Sequence, residues 1–256
     1  MSKIKNAFKN KKAFIGFLTA GDPSFEKSEE FIMQMVRGGA DLIEIGIPFS
    51  DPVAEGIVIQ QANIRALKSG TTLNKVFSLV QSVRQKTNIP LVFLTYLNPV
   101  FNYGYEAFFA KCGQLGLDGI IIPDLPFEEK DEIKEIALKY DVDIISLIAP
   151  TSDERIEKIA SESTGFLYII SSMGVTGMRS IITTDISSMI KAVQKTSTIP
   201  TAVGFGINTP QQASNIASIA DGVIVGSAIV KIIAEHKENA GSYIYEYVKS
   251  MKQAIM

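Results

Sequence analysis

The chain has 256 residues, 46% hydrophobic and 20% charged, enough apolar material for one large core or two smaller ones. Its net charge is −2 with no long run of one sign, so nucleic-acid binding has no support, and no apolar run is long enough to span a membrane. With one cysteine and one histidine, an internal disulfide, a thiolate metal cluster and a histidine-rich metal site are excluded, and a serine–histidine triad is disfavoured.

Strand-like apolar runs recur at 13–19, 41–47, 90–96, 119–123, 143–149, 166–171, 201–207 and 222–226. Helical spacing follows at 25–37, 72–86, 105–115, 128–139, 153–162, 185–194, 210–217 and 227–234, with further helices expected at 57–68 and 242–252. Ser152 or Asp153 can cap one helix, and Thr209-Pro210 has the cap-then-proline order of a helix entrance. Eight alternating pairs predict an α/β fold, a (βα)8 TIM barrel with additional helices, as a single domain over 1–256. An open doubly wound sheet is the alternative, but it usually has fewer strands. No signal-peptide core follows the first residues, so a cytoplasmic location is expected.

The second predicted strand and the loop that follows it read Asp41-Leu-Ile-Glu-Ile-Gly-Ile-Pro-Phe-Ser-Asp-Pro-Val-Ala-Glu-Gly56. Period-two alternation puts Ile43, Ile45 and Ile47 on one face, suited to helices, and Leu42, Glu44 and Gly46 on the other. A carboxylate inside a barrel must be hydrogen-bonded, protonated or chemically employed, because an unpaired buried charge is costly. A structural ion pair is the plainer alternative. Asp51 and Glu55 follow in the loop. In a barrel the site lies at the carboxyl ends of the strands, which gathers Glu44, Glu55, Tyr96, Asn98, Asn102, Asp124 and Tyr168 on one rim. Cys112 reads as packing and His236 as surface, so the chemistry falls to carboxylates, hydroxyls and backbone groups.

Three glycine groups follow the last strands: Gly174-Val-Thr-Gly177, Gly204-Phe205-Gly206 and Gly226-Ser227. Glycine lets backbone N–H groups approach an anion closely, and the amino end of the helix at Ser227 carries partial positive charge. Each group alone is commonly a structural turn; together on one rim they point to a phosphate monoester. The segment 171–185, rich in Ser, Thr and Gly, reads as a lid over the site, or as a surface loop without a role.

These residues resemble the α-subunit family of tryptophan synthase. The likeness is carried by Phe17-Leu-Thr-Ala-Gly-Asp-Pro23, the stretch from Leu42 to Gly56, Tyr96-Leu-Asn-Pro-Val-Phe-Asn102, Asp124-Leu-Pro126, Tyr168, Gly174-Val-Thr-Gly177, Gly204-Phe-Gly-Ile207 and Gly226-Ser-Ala-Ile-Val-Lys231. It runs in order over nearly the whole chain. The resemblance implies a carbon–carbon lyase that cleaves indole-3-glycerol phosphate to indole and glyceraldehyde 3-phosphate. It places Glu44 as general acid–base and Glu55 as the carboxylate facing the indole N–H. Phe17, Leu94, Ile121 and Tyr168 would line the indole pocket, Thr176 would bond the second carboxylate on closing, and Gly177, Phe205, Gly206, Gly226 and Ser227 would hold the substrate. It further implies an α2β2 assembly with a β subunit carrying pyridoxal phosphate, met through Pro48, Asp51, Asn98, Phe101 and Asn102, and no cofactor or metal in this chain.

Two departures stand out. Glu55-Gly56-Ile57 replaces the commoner Asp-Gly-Pro, and the longer carboxylate fits only if the loop sits back by about 1.5 Å. Ser172 and Met173 replace the Arg and Ser common before the lid glycine. These departures motivate one alternative, a catalytically weak subunit that mainly activates its partner; a phosphosugar isomerase on the same barrel is another.

Overall fold

The computed structural model describes residues 3–170, 186–204 and 206–256. Nine strands form one sheet: β1 (Ala13–Thr19), β2 (Leu42–Gly46), β3 (Leu91–Leu94), β4 (Gly119–Ile121), β5 (Asp143–Ile144), β6 (Ser146–Ile148), β7 (Leu167–Ile170), β8 (Thr201–Gly204) and β9 (Gly222–Val225). All pairings are parallel, in the order β5-β4-β3-β2-β1-β9-β8-β7-β6. The two ends of that order, β5 and β6, are one chain run interrupted only at Ile145. The sheet therefore closes on itself, and the expected (βα)8 barrel is present.

The run 143–149, expected as one strand, is thus two short ones. Gly119 and Ile120 pair with Asp143 and Ile144, and Ile145 N–H still donates to Ile120 O at 2.9 Å. Beyond that point the chain pairs with β7 instead, Ser146 to Leu167 and Ile148 to Ile169. The fifth strand leaves one neighbour as it reaches the other, and a seam opens beside the end of β4.

The helices at 57–68, 105–115 and 210–217 match the sequence reading, the last with a complete capping box between Thr209 and Gln212. Two helices were not expected. Leu97–Tyr103 occupies what reads as a loop after β3, and Ile4–Phe8 plugs the amino end of the barrel. Ile4 is fully buried there, and the Phe8 ring meets Phe166 at 5.7 Å.

The core has two layers. Ile43, Ile45 and Ile47 pack outward among the helices, while Ile15, Leu42, Val92, Ile121, Ile145 and Tyr168 fill the barrel. Three aspartates recur at its amino end, each immediately before a strand. Asp41 accepts from Phe14 N–H at 2.8 Å, Asp118 from Leu91 N–H at 3.0 Å and Asp221 from Thr201 N–H at 2.9 Å. Each carboxylate ties its own strand to the one beside it, at the end of the barrel opposite the chemistry. Among the described residues, no helix is long and apolar enough to cross a membrane.

Candidate active site

Glu44 lies on β2 between Phe17 of β1 and Val92 of β3 in the sheet register. The period-two pattern directs it inward, and it is 1% exposed. Among the described residues nothing hydrogen-bonds to its Oε1. Burial pushes its pKa up to about 8, since removal from solvent penalises the charged form. At neutral pH Glu44 is therefore mostly a neutral acid, able to give a proton. Tyr168, on β7, is buried in the same interior; burial, and then the charge of Glu44, raise its hydroxyl pKa well above the ordinary value.

Glycines shape the walls around this acid. A Cβ on Gly46 would stand 2.7 Å from the Phe17 ring, and one on Gly226 would stand 3.2 Å from the same ring. A Cβ on Gly204 would fall 2.3 Å from Tyr168 Oη. The two aromatic rings can lie flat along the barrel wall only because the neighbouring strands carry no side chain at those points.

Glu55 is placed by a different element. It precedes the helix Ile57–Lys68, and that helix holds it twice: Asn63 Nδ2 donates to Oε2 at 2.7 Å, and Gln60 Nε2 donates to the backbone carbonyl at 2.7 Å. The helix is itself pinned by a two-pronged pair, Arg65 to the buried Asp22 at 2.8 Å through each nitrogen. Glu55 is 5% exposed; burial pushes its pKa up to about 7, and the Asn63 bond pulls the other way. Tyr96 is buried nearby, its Oη accepting from Ala54 N–H at 3.0 Å. Its hydroxyl pKa is raised by burial first and by the charge of Glu55 second. Asp124 accepts from Leu97 N–H at 2.9 Å and so fixes the start of the helix after β3. Two carboxyl groups with pKa values near neutrality, one inside the barrel and one at its mouth, are suited to moving protons.

The third feature is a set of backbone donors. Helix Ser227–His236 begins at Gly226 with no side-chain cap, which leaves its first N–H groups directed out of the helix. Gly206, with φ +91°, turns the chain after β8, and Asn208 Nδ2 donates to its carbonyl at 2.9 Å.

A family model described as "Tryptophan synthase alpha chain" matches residues 3–256. The chain belongs to the tryptophan synthase alpha chain family. The alpha chain of Lacticaseibacillus casei is 49% identical over 255 residues, covering 100% of this chain and 96% of that one. The crystal structure of tryptophan synthase subunit alpha from Legionella pneumophila is 36% identical with TM-score 0.91, covering 100% and 98%. A structure of the tryptophan synthase a2b2 complex from Pyrococcus furiosus matches at 35% identity and TM-score 0.84, over 94% of this chain and 98% of that one.

Set against that family, the structure gathers Glu44, Phe17, Leu94, Ile121 and Tyr168 along the barrel interior or its mouth. Gly226 and Ser227 stand at a half-buried helix start. Thr176, Gly177, Phe205 and the whole segment 171–185 lie outside the described residues. Of the expected partner-facing residues, Asp51, Asn98, Phe101 and Asn102 are exposed, but Pro48 is buried within the chain and offers little surface. Asn98, Phe101 and Asn102 stand on the helix Leu97–Tyr103 and not on a loop. Sequence reasoning missed Asn63, which is 4% exposed. Its signal was available: a polar amide on the buried stripe Ile59, Ala62 and Ala66 of an amphipathic helix.

Proposed function

We propose that this chain catalyses the alpha reaction of its family, the retro-aldol cleavage of indole-3-glycerol phosphate to indole and glyceraldehyde 3-phosphate in tryptophan biosynthesis. The observation that carries this reading is Glu44, a buried acid kept protonated near neutral pH inside an apolar barrel. Glu44 gives its proton to indole C3, which leaves the ring cationic. The glycerol C–C bond then breaks, its electron pair returns to the ring, and the adjacent hydroxyl becomes the aldehyde. Glu44, now a carboxylate, takes the proton from that hydroxyl and is regenerated. Glu55, ionised and facing the indole N–H, stabilises the positive charge between these steps.

Phe17, Leu94, Ile121 and Tyr168 hold the ring, and the N–H groups at Gly206, Gly226 and Ser227 hold the phosphate. Thr176, Gly177 and Phe205 complete this set by resemblance. Replacement of the usual Asp by Glu55 does not argue for a silent subunit, because the longer side chain is still buried, bonded and able to ionise near neutral pH.

A β subunit is the proposed partner, in an α2β2 assembly like that of the Pyrococcus furiosus complex. Phe101, Val53 and Ile57 are 66%, 74% and 67% exposed, apolar surface that a partner would cover. Exposed Asp51, Asn98 and Asn102 are assigned to the same face, and Pro48, being buried, is not. Pyridoxal phosphate is assigned to that partner and a cytoplasmic location to both. The deciding experiment pairs an indole-release assay of Glu44→Gln with a crystal soak in glycerol 3-phosphate. Indole release should collapse, and the anion should lie beside Gly206 and Ser227. Undiminished release, or an anion seated elsewhere, overturns the proposal.

A further inference from the structure

The seam in the fifth strand opens on a cavity of about 350 Å³, a size that accommodates a small organic ligand. It lies between the end of β4, the broken strand and the helices Asp131–Lys139 and Asp153–Ser161. Neither Glu44 nor Glu55 lines it. It shares one wall with the barrel, because Ile145 and Leu147 line the cavity and also pack into the interior cluster.

The chemistry of its lining is one-sided. Ile122, Phe127 and Ile159 supply apolar surface, and Ser146 and Thr151 supply hydroxyls. Two cations are present, Lys130 and Arg155, and no lining residue is acidic. Arg155 is already engaged by Glu128 through both terminal guanidinium nitrogens. Lys130 is less well served. Its side chain is 8% exposed, and its Nζ stands 4.0 Å from the centre of the Phe127 ring. It donates to Glu162 O at 3.3 Å, while the Glu162 carboxylate is 3.6 Å away and 42% exposed. Burial lowers the Lys130 pKa despite that carboxylate, so the ammonium would gain from a nearer anion.

We propose that this seam is a second ligand site, and that it takes a small carboxylate with an aromatic or branched apolar body. The carboxylate pairs with Lys130 and is bonded by Ser146 and Thr151, and the body lies against Ile122, Phe127 and Ile159. One buried ammonium whose own carboxylate partner stands 3.6 Å off, set in an apolar cleft, matches a monoanion.

The test is an NMR titration of the isotope-labelled full chain with phenylacetate as probe. Saturable shifts should cluster at Ile122, Ser146, Thr151 and Ile159. Phenylacetamide, of the same shape without the charge, should bind about tenfold or more weakly, as should phenylacetate to Lys130→Met. Should Lys130→Met fail to fold, Thr151→Val and the amide comparison carry the test. Four results overturn the proposal: no saturable binding at millimolar probe, equal affinity for acid and amide, shifts centred on Glu44 and Tyr168, or the same shifts from inorganic phosphate.

Discussion

Asn63 holds Glu55: its amide donates to Oε2 at 2.7 Å, and both side chains are buried. The bond favours the ionised form of a carboxyl that burial alone would keep protonated. It engages Oε2; in the proposed reaction the indole N–H would approach the other oxygen, Oε1.

Asn63→Leu should therefore raise the Glu55 pKa above about 7. If ionised Glu55 is required, the rising limb of the pH profile for indole release moves to higher pH, and activity at neutral pH falls about tenfold. A profile that keeps its limb while losing only amplitude would assign Asn63 a purely structural part.

In the unaltered chain the two acids predict a narrow bell. Release should rise as Glu55 ionises near pH 7 and fall as Glu44 loses its proton near pH 8. Steady-state rates from pH 5 to 10 (about half a unit apart) would locate both limbs. A rate still climbing above pH 9 would contradict Glu44 as the acid.

Glu44→Gln separates activity from stability. Activity should drop by about 10² to 10⁴. Because the folded-state pKa of Glu44 is raised, its stabilising contribution is complete below its ordinary value of 4.5 and is lost as pH rises through about 8. The amide does not titrate, so the variant should gain stability over the parent as pH rises through that window. Melting temperatures of both proteins at pH 5 and pH 9 test this, and a constant difference would sink it.

Asp118→Ala removes a carboxylate shared by Leu91 N–H at 3.0 Å, Lys3 N–H at 3.0 Å and Arg84 at 2.6 Å. The cost should be about 3–5 kcal/mol, since a part-buried guanidinium loses its partner. A denaturant midpoint would measure it. Molecules that remain folded should keep their rate, because Asp118 stands at the end of the barrel away from the chemistry.

Gly204→Ala drives a methyl into Tyr168 Oη at 2.3 Å. The ring must tilt into the interior, costing about 1–3 kcal/mol and weakening substrate binding. Combining it with Tyr168→Phe, which deletes the nearest atom, should recover part of the lost affinity; no recovery would place the strain in the backbone.

How much of this was legible in the sequence differed by residue. Glu44 was readable because strand alternation converts position into direction, and a carboxylate among isoleucines is conspicuous. Glu55 could be named, but its environment could not, since Asn63 lies eight positions away on a helix and belongs to no short motif. The helix Leu97–Tyr103 was hidden by Asn98-Pro99, which reads as a turn although proline is tolerated in a first helical turn. The break at Ile145 could not be read from the run Asp143-Ile-Ile-Ser-Leu-Ile-Ala149, where the one interior polar residue, Ser146, suits an unbroken strand equally well, because a change of pairing partner alters neither composition nor period.

The bare wall positions Gly46, Gly204 and Gly226 also bear on altering which ring the mouth accepts. Phe17 and Tyr168 lie where these three positions permit, so retailoring the cleft by exchanging the aromatics alone would leave their berths unchanged. A designer seeking a bulkier or slimmer guest should begin with the residues that have nothing to show.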